Sequence, residues 1–221
     1  MCQNMQRNLF MTKIKAILFD MDGVLIEAKD WHFEAINKAL ELFGMRISRY
    51  DHLVTYDGLP TQMKLQMLSV ERGLPEALHD FINDMKQVYT LEMVHALCKP
   101  RFHHEYALSK LKEDGYFITV CSNSVIQSIK VMMENSSLIG YLDFFLSAQD
   151  VEHPKPEPDI YLAAMNKLGL EPEECMVVED NENGIKAAKA SGAWVMEVDE
   201  VDEVNYQNIV AHIQKFEEIM K

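Results

Sequence analysis

The apolar run Ala16–Phe19 ends in two acids, Asp20 and Asp22, with only Met21 between them. A buried strand gains nothing from carboxylates at its tip, because an unpaired charge is costly to desolvate. A catalytic site can use them. Other polar residues follow later apolar runs in the same way. YFITVC (116–121) leads to Ser122 and Asn123, and CMVVE (175–179) ends in Glu179 and leads to Asp180. DFFLSA (143–148) leads to HPKPEP, where Lys155 stands between two prolines.

The elements that must position these residues are legible in the pattern. KAILF (15–19), YFITVC, DFFLSA, CMVVE and AWVMEV (193–198) each have the length of one buried strand. Helix-like segments lie between the later ones, at roughly 104–114, 125–134, 158–168 and 184–191, and Gly115, Gly169 and Gly192 punctuate helix ends. This alternation predicts an α/β fold, a Rossmann-like parallel sheet with helices on both faces. In such a sheet ligands bind beyond the carboxyl ends of the strands, where the polar residues above fall. Residues 30–97 break the alternation and read as helical throughout, which predicts an inserted all-helical subdomain. The expected division is 13–29 with 98–221 as the α/β core and 30–97 as the insertion. The acid-rich EVDEVDE (197–203) reads as a solvated loop after the last strand.

The 221 residues carry 35 acids against 21 bases, a net charge of −14. Such a surface repels phosphate backbones and anionic lipid, which argues against nucleic-acid and membrane partners. A small anionic substrate fits only if positive groups gather inside one pocket. Cys2, Cys98, Cys121 and Cys175 form no CxxC pair, and Cys98 and Cys121 read as buried thiols. That usage fits a reducing compartment. The opening MCQNMQRNLFMTK has no long apolar segment, and no run approaches a membrane span. The expectation is a soluble, cytoplasmic protein with a loose leader over residues 1–12, Met11 being an alternative start.

DMDGV (20–24), VCSNS (120–124), HPKPEPDIY (153–161) and VVEDNENGI (177–185) resemble, in order and spacing, the four motifs of the haloacid dehalogenase superfamily. The helical insertion resembles the cap of the subgroup that contains beta-phosphoglucomutase and many sugar-phosphate phosphatases. The resemblance implies a catalytic carboxylate at Asp20, forming an aspartyl-phosphate, and a general acid–base at Asp22. It implies Mg²⁺ held by Asp20, the backbone carbonyl of Asp22, and Asp180, with Glu179 nearby, a hard-oxygen set suited to that ion. Ser122 and Asn123 are then phosphate-binding, and Lys155 supplies positive charge to both catalysis and phosphate binding. The implied partner is a small phosphorylated metabolite, for a monomer or small homo-oligomer.

Blander readings stand beside these. A calcium loop needs more acids and a Gly at its sixth position, whereas Gly23 comes fourth. Ser122 reads equally as a turn residue, Lys155 as a surface lysine, and Glu179–Asn181 as a helix-capping turn. His103 and His104 lack a partner at zinc-ligand spacing. In the insertion, His32 resembles a substrate-sensing histidine of beta-phosphoglucomutase, against a simple helical His. Tyr56, Asp57 and Lys64 are candidate substrate contacts or solvated residues. The mutase's cap-loop arginine has no counterpart in TYDGLPTQMK (55–64), which favours hydrolysis over an isomerising phosphotransferase. Dehalogenation has no need of Asp22, Glu179 and Asp180. A non-catalytic binding protein on this fold would have lost one of these groups, and none is missing.

Overall fold

The computed structural model describes residues 14–219. The expected leader with its alternative start, and Cys2, lie outside the described residues. The chain runs β1 (Ala16–Phe19), α1 (Lys29–Glu41), α2 (Arg49–Asp51) with a wide turn at His52–Tyr56, α3 (Thr61–Arg72), α4 (His79–Leu97), α5 (Phe102–Glu113), β2 (Phe117–Ser122), α6 (Ile126–Asn135), β3 (Phe144–Ser147), α7 (Asp159–Leu168), β4 (Cys175–Glu179), α8 (Glu182–Ser191), β5 (Trp194–Glu197) and α9 (Tyr206–Ile219).

The strands form a parallel sheet in the order β3-β2-β1-β4-β5. Side chains alternate between its faces, as a strand period of two requires. Ile17, Phe19, Ile118, Val120, Met176 and Val178 face one core, covered by α5, α6 and α9. Ala16, Leu18, Cys121, Cys175 and Val177 face the other, covered by α7 and α8. Both faces are therefore apolar, which is why these strands read as unbroken hydrophobic runs. The α9 helix docks through Ile209, Ile213 and Phe216, spaced four and three residues apart on one face. Among the described residues no helix is long and apolar enough to cross a membrane.

The helices between β1 and α5 have an apolar cluster of their own, including Ile36, Leu40, Ile47, Tyr56, Leu65, Leu68 and Ile82. Asn37 stitches α1 to the following loop, donating to the Ile47 carbonyl at 3.1 Å and accepting from its N–H at 2.8 Å. Where the chain passes back into the α/β part, Arg101 donates to Glu27 and Asp202 at 2.6 and 2.9 Å.

EVDEVDE departs from the expected solvated loop. Val198, Val201 and Val204 are buried, and only the intervening acids face water. The adjacent histidines also differ from one another. His104 is buried and donates from Nε2 to the Val201 carbonyl at 2.9 Å, tying α5 to this loop. His103 stands 3.5 Å from Asp202 at the surface.

Burial pushes the His104 imidazole down from the usual 6.5 to about 4, against the pull of its bond to Val201. The unfolded chain takes up the proton first as pH falls, so the contribution of neutral His104 is complete above about 6.5 and is lost toward about 4. His104→Gln, which keeps an N–H donor but does not titrate, should flatten the fall of Tm across that window. A pH series of thermal melts on both proteins checks this; parallel slopes would remove His104 as the titrating group.

Candidate active site

β1 lies between β2 and β4, so its flanking connections leave in opposite directions and a crevice opens beyond its carboxyl end. Asp20 sits there, its N–H continuing the ladder to the Val178 carbonyl at 3.0 Å. The chain then bends instead of extending. Leu25 and Ile26 N–H groups return to the Met21 carbonyl at 3.0 and 2.9 Å, while the Met21 side chain is buried. Asp20 and Asp22 thus reach the same cavity through a turn, not by alternation along a strand as their spacing suggests. Gly23 makes the turn possible: its φ is +96°, and a Cβ there would collide with the Asp180 carboxylate.

Lys155 occupies the centre of the acids. Its Nζ donates to Asp20 Oδ1 at 2.6 Å, to Glu179 Oε1 at 2.7 Å and to the Cys121 carbonyl at 2.7 Å, with only 2% of the residue exposed. All three ammonium protons are engaged. Glu179 is fully buried. It also accepts from the Tyr161 hydroxyl at 2.6 Å and from the Asp180 N–H at 3.1 Å. Gly184 on α8 passes so close to the Glu179 carboxylate that a Cβ would overlap it. Asn181 caps α8, accepting from the Gly184 N–H at 3.0 Å, so the turn after β4 is both a helix cap and a holder of acids.

Burial pulls the Lys155 ammonium down, but the Asp20 and Glu179 carboxylates outweigh it and hold its pKa above the usual range. Burial raises Asp20, opposed by Lys155 and reinforced by Glu179, Asp180 and Asp22. Asp20 therefore depends on neighbouring cations to stay ionised. Asp20, Glu179 and Asp180 offer oxygens within 4.8 Å of one another. Lys29, at the start of α1, pairs with Asp180 Oδ2 at 2.6 Å. Hard oxygens this close fit a divalent cation, with the Lys29 ammonium standing against one of them.

Asp22 is held separately. His32 Nε2 lies 3.0 Å from its Oδ1, and the Ser124 hydroxyl donates to Oδ2 at 2.9 Å. Burial raises its pKa, but His32, Ser124 and Lys86 together outweigh that and keep it below the usual range. Burial lowers His32 against the pull of Asp22. The geometry is that of an Nε2–H donating to the Asp22 carboxylate. With the Asp22 side chain so occupied, only its backbone carbonyl is left for the expected metal role.

A cavity of about 460 Å³ opens over these groups. Asp20, Asp22, Ser122, Asn123 and Lys155 line it from the sheet, and His32 and Lys64 from the helical unit. Glu179 and Asp180 stand behind that lining. Tyr56 does not join it: its ring is buried in the helical unit's own core, with its hydroxyl donating to Glu71 at 2.9 Å. Asn123 reaches both ways, donating to the Gly58 and Lys155 carbonyls at 3.0 Å each and accepting from the Lys155 N–H at 3.1 Å. Sequence reasoning passed over Lys29, Ser124, Tyr161 and Lys86. Ser124 and Tyr161 lie inside the quoted motifs. Lys86 carried a signal, since it interrupts the buried series Ile82, Lys86, Thr90, Val94 at four-residue spacing.

The profile of the haloacid dehalogenase-like hydrolases matches residues 17–198. A haloacid dehalogenase-like hydrolase domain-containing protein of Arabidopsis thaliana is 29% identical over 210 residues, 81% of this chain and 66% of that protein. A phosphorylated carbohydrates phosphatase of Thermotoga maritima is 26% identical over 183 residues, covering 81% of this chain and 82% of that one. The crystal structure of beta-phosphoglucomutase from Clostridium difficile superposes with a TM-score of 0.80 at 20% identity, over 94% of this chain and all of that one.

Removing the central ammonium tests how the acids are held. Lys155→Met would leave Asp20 and Glu179 buried without their shared partner, a loss expected to reach roughly 3–5 kcal/mol. Urea unfolding monitored by circular dichroism measures it. A loss below about 1 kcal/mol, the range of a surface ion pair, would mean that Lys155 does not hold the site together.

Proposed function

This chain belongs to the haloacid dehalogenase-like hydrolases, and we propose that within them it is a magnesium-dependent phosphatase acting on a small sugar phosphate through an aspartyl-phosphate on Asp20. The carrying observation is the buried Asp20 carboxylate, facing a polar cavity while Lys155 and two further acids surround it. The Thermotoga relative, a phosphatase of phosphorylated carbohydrates, supports the substrate class. We take residues 30–97 as the cap over this site, with 13–29 and 98–221 as the core.

A phosphomonoester dianion repels an attacking carboxylate, and that repulsion must be offset first. Magnesium held by Asp20, Asp180 and the Asp22 carbonyl, with Glu179 adjacent, would supply the offsetting charge. The Asp20 carboxylate then attacks phosphorus, the bond to the alcohol oxygen breaks, and the alkoxide takes a proton from Asp22. In the second half a water gives a proton to Asp22 as it attacks the aspartyl-phosphate. The bond to Asp20 breaks and inorganic phosphate leaves.

Asp22 must hold a proton in the first half and accept one in the second. As described, it is in the accepting form, held there largely by His32 and Ser124. Substrate that draws it away from those partners would leave burial to act alone, and burial raises its proton affinity. The Ser122 hydroxyl and Asn123 N–H would donate to the phosphoryl oxygens. Lys155 would act mainly as a fixed charge, since its protons already have acceptors.

Phosphate release from a panel of metabolite phosphates with Mg²⁺ tests the reading. Turnover is expected, and Asp20→Asn should abolish it while keeping the fold. Wild-type rates in that variant would exclude the Asp20 intermediate, and phosphate retained on the sugar would identify a phosphotransferase instead. Asp22→Asn should slow alkyl phosphates about 10²–10⁴-fold, but p-nitrophenyl phosphate far less, because that leaving group needs no proton. Equal slowing of both would rule out leaving-group protonation. Mg²⁺ should raise the Tm of the wild-type protein by mass action and that of Asp180→Ala much less; identical titrations would remove Asp180 from the metal site.

A further inference from the structure

Lys29 is the first residue of α1, where the chain enters the helical unit, and its side chain turns back to the strand ends. Its Nζ stands 2.6 Å from Asp180 Oδ2, and the Asp180 side chain is fully buried. Gly23 leaves room for the contact. A Cβ there would collide with both the Asp180 carboxylate and the Lys29 Cε, so the lysine stem passes over bare backbone. Nothing in the helix itself calls for a cation at this position. The first turn of a helix favours negative charge, and Ala28, the residue before Lys29, provides no side-chain cap. Lys29 is unfavourably placed within α1, and the carboxylate that it reaches accounts for it.

Asp180 is also one of the three acids whose oxygens gather within 4.8 Å, with Asp20 and Glu179. Its other oxygen, Oδ1, has a long contact from the Asn181 amide at 3.4 Å. A divalent cation held by this set takes carboxylate oxygens at about 2.1 Å, on a group that already carries an ammonium. Two cations on one buried carboxylate repel each other where water screens little. Each weakens the other's hold by the same factor, because coupling between two bound groups is reciprocal. Lys155 is fixed by three acceptors on the sheet, whereas Lys29 has a single ion-pair partner among the described residues. Its side chain is 35% exposed, so it can turn to water when displaced.

We propose that Lys29 sets the affinity of the site for a divalent cation by competing with it for Asp180, and that cation binding thereby frees the first turn of α1. This competition presupposes the cation site assigned above to Asp20 and Asp180, and not the identity of the substrate. His32 lies one turn further along α1, and its Nε2 meets Asp22 at 3.0 Å. Side chains three residues apart share a face of a helix, so one face of α1 is attached to two acids of the site. Loading the cation removes the first attachment and leaves the second in place.

Calorimetric titration of the full chain with Mg²⁺ alone, at fixed ionic strength and without substrate, tests the competition. Lys29→Met and Lys29→Gln, which remove the charge, should bind Mg²⁺ at least about fivefold more tightly than the wild-type protein, the lower end of such couplings. Lys29→Arg keeps the charge and should stay close to the wild-type value. Gln also keeps a donor for Asp180, so it repeats the comparison if Met lowers the Tm. Lys215→Met, at an exposed position on α9, removes one charge outside the cavity and should change nothing. Equal tightening there would reduce the effect to bulk charge and overturn the competition. Unchanged or weaker binding in the neutral Lys29 variants also overturns it, and leaves the cation site standing. Absence of binding in every variant removes the cation site itself, and the competition with it. Trp31, two residues beyond Lys29 and one of two tryptophans, reports the release. In a Trp194→Phe background Mg²⁺ should shift its emission, and adding Lys29→Met should give the shifted emission without Mg²⁺. Emission that Mg²⁺ leaves unchanged overturns the release of α1.

Discussion

A single ammonium group sets the terms for the site. Lys155 Nζ spends its three protons on Asp20, Glu179 and the Cys121 carbonyl, on three different strand ends. Without it, two buried carboxylates would face each other across a low-dielectric gap, where like charges repel far more strongly than in water. The surrounding structure serves that contact. The β1–β4 register brings Asp20 level with Glu179, the Asn123 side chain grips the backbone of Lys155, and Tyr161 satisfies the oxygen of Glu179 that Lys155 shares. Buried ion networks seldom add net stability compared with apolar packing. Retaining one at the centre of a sheet is better explained by what the concentrated charge can do to a ligand.

The helical unit is tied to the same charges. His32 contacts Asp22, Lys29, where the chain enters the unit, pairs with Asp180, and the Gly58 and Asp57 carbonyls accept from Asn123 and Asn183. These contacts at the cavity are polar, while away from it Val94, with Trp31 and Leu91, joins the apolar cluster of the sheet. On the cavity side the unit therefore meets the site through groups that substrate and cation would themselves engage. Its position and the state of the acids are linked by direct contact, with no intervening relay.

Much of this was legible in the sequence because the strands are buried on both faces. All five apolar runs became strands within a residue or so of their expected ends, and the polar residues after them met at one sheet edge. What stayed hidden depended on long-range or phase-breaking geometry. Lys29 and Asp180 are far apart along the chain, and no local pattern pairs them. Tyr56 follows a turn wider than a regular helix, which shifts residue phase and swings its ring into the core. The last helix and the buried valines of EVDEVDE carry a readable apolar spacing, but the acids around those valines masked it. Nor does the spacing of Asp20 and Asp22 show the turn, held by Met21 and Gly23, that brings them to one cavity.

The net charge of −14 and an anionic ligand are compatible because they act at different ranges. At physiological salt, exposed charges are largely screened beyond about 8 Å, so a small ester meets the surface field only briefly before entering the cavity. Inside, Lys29, Lys64, Lys86 and Lys155 line the walls beside Asp20, Asp22, Asp57, Asp80 and Glu152, so the wall is near charge balance where the chain as a whole is strongly acidic. The bulk charge therefore describes the exterior, and the charges that a small ligand would meet are those of the cavity wall.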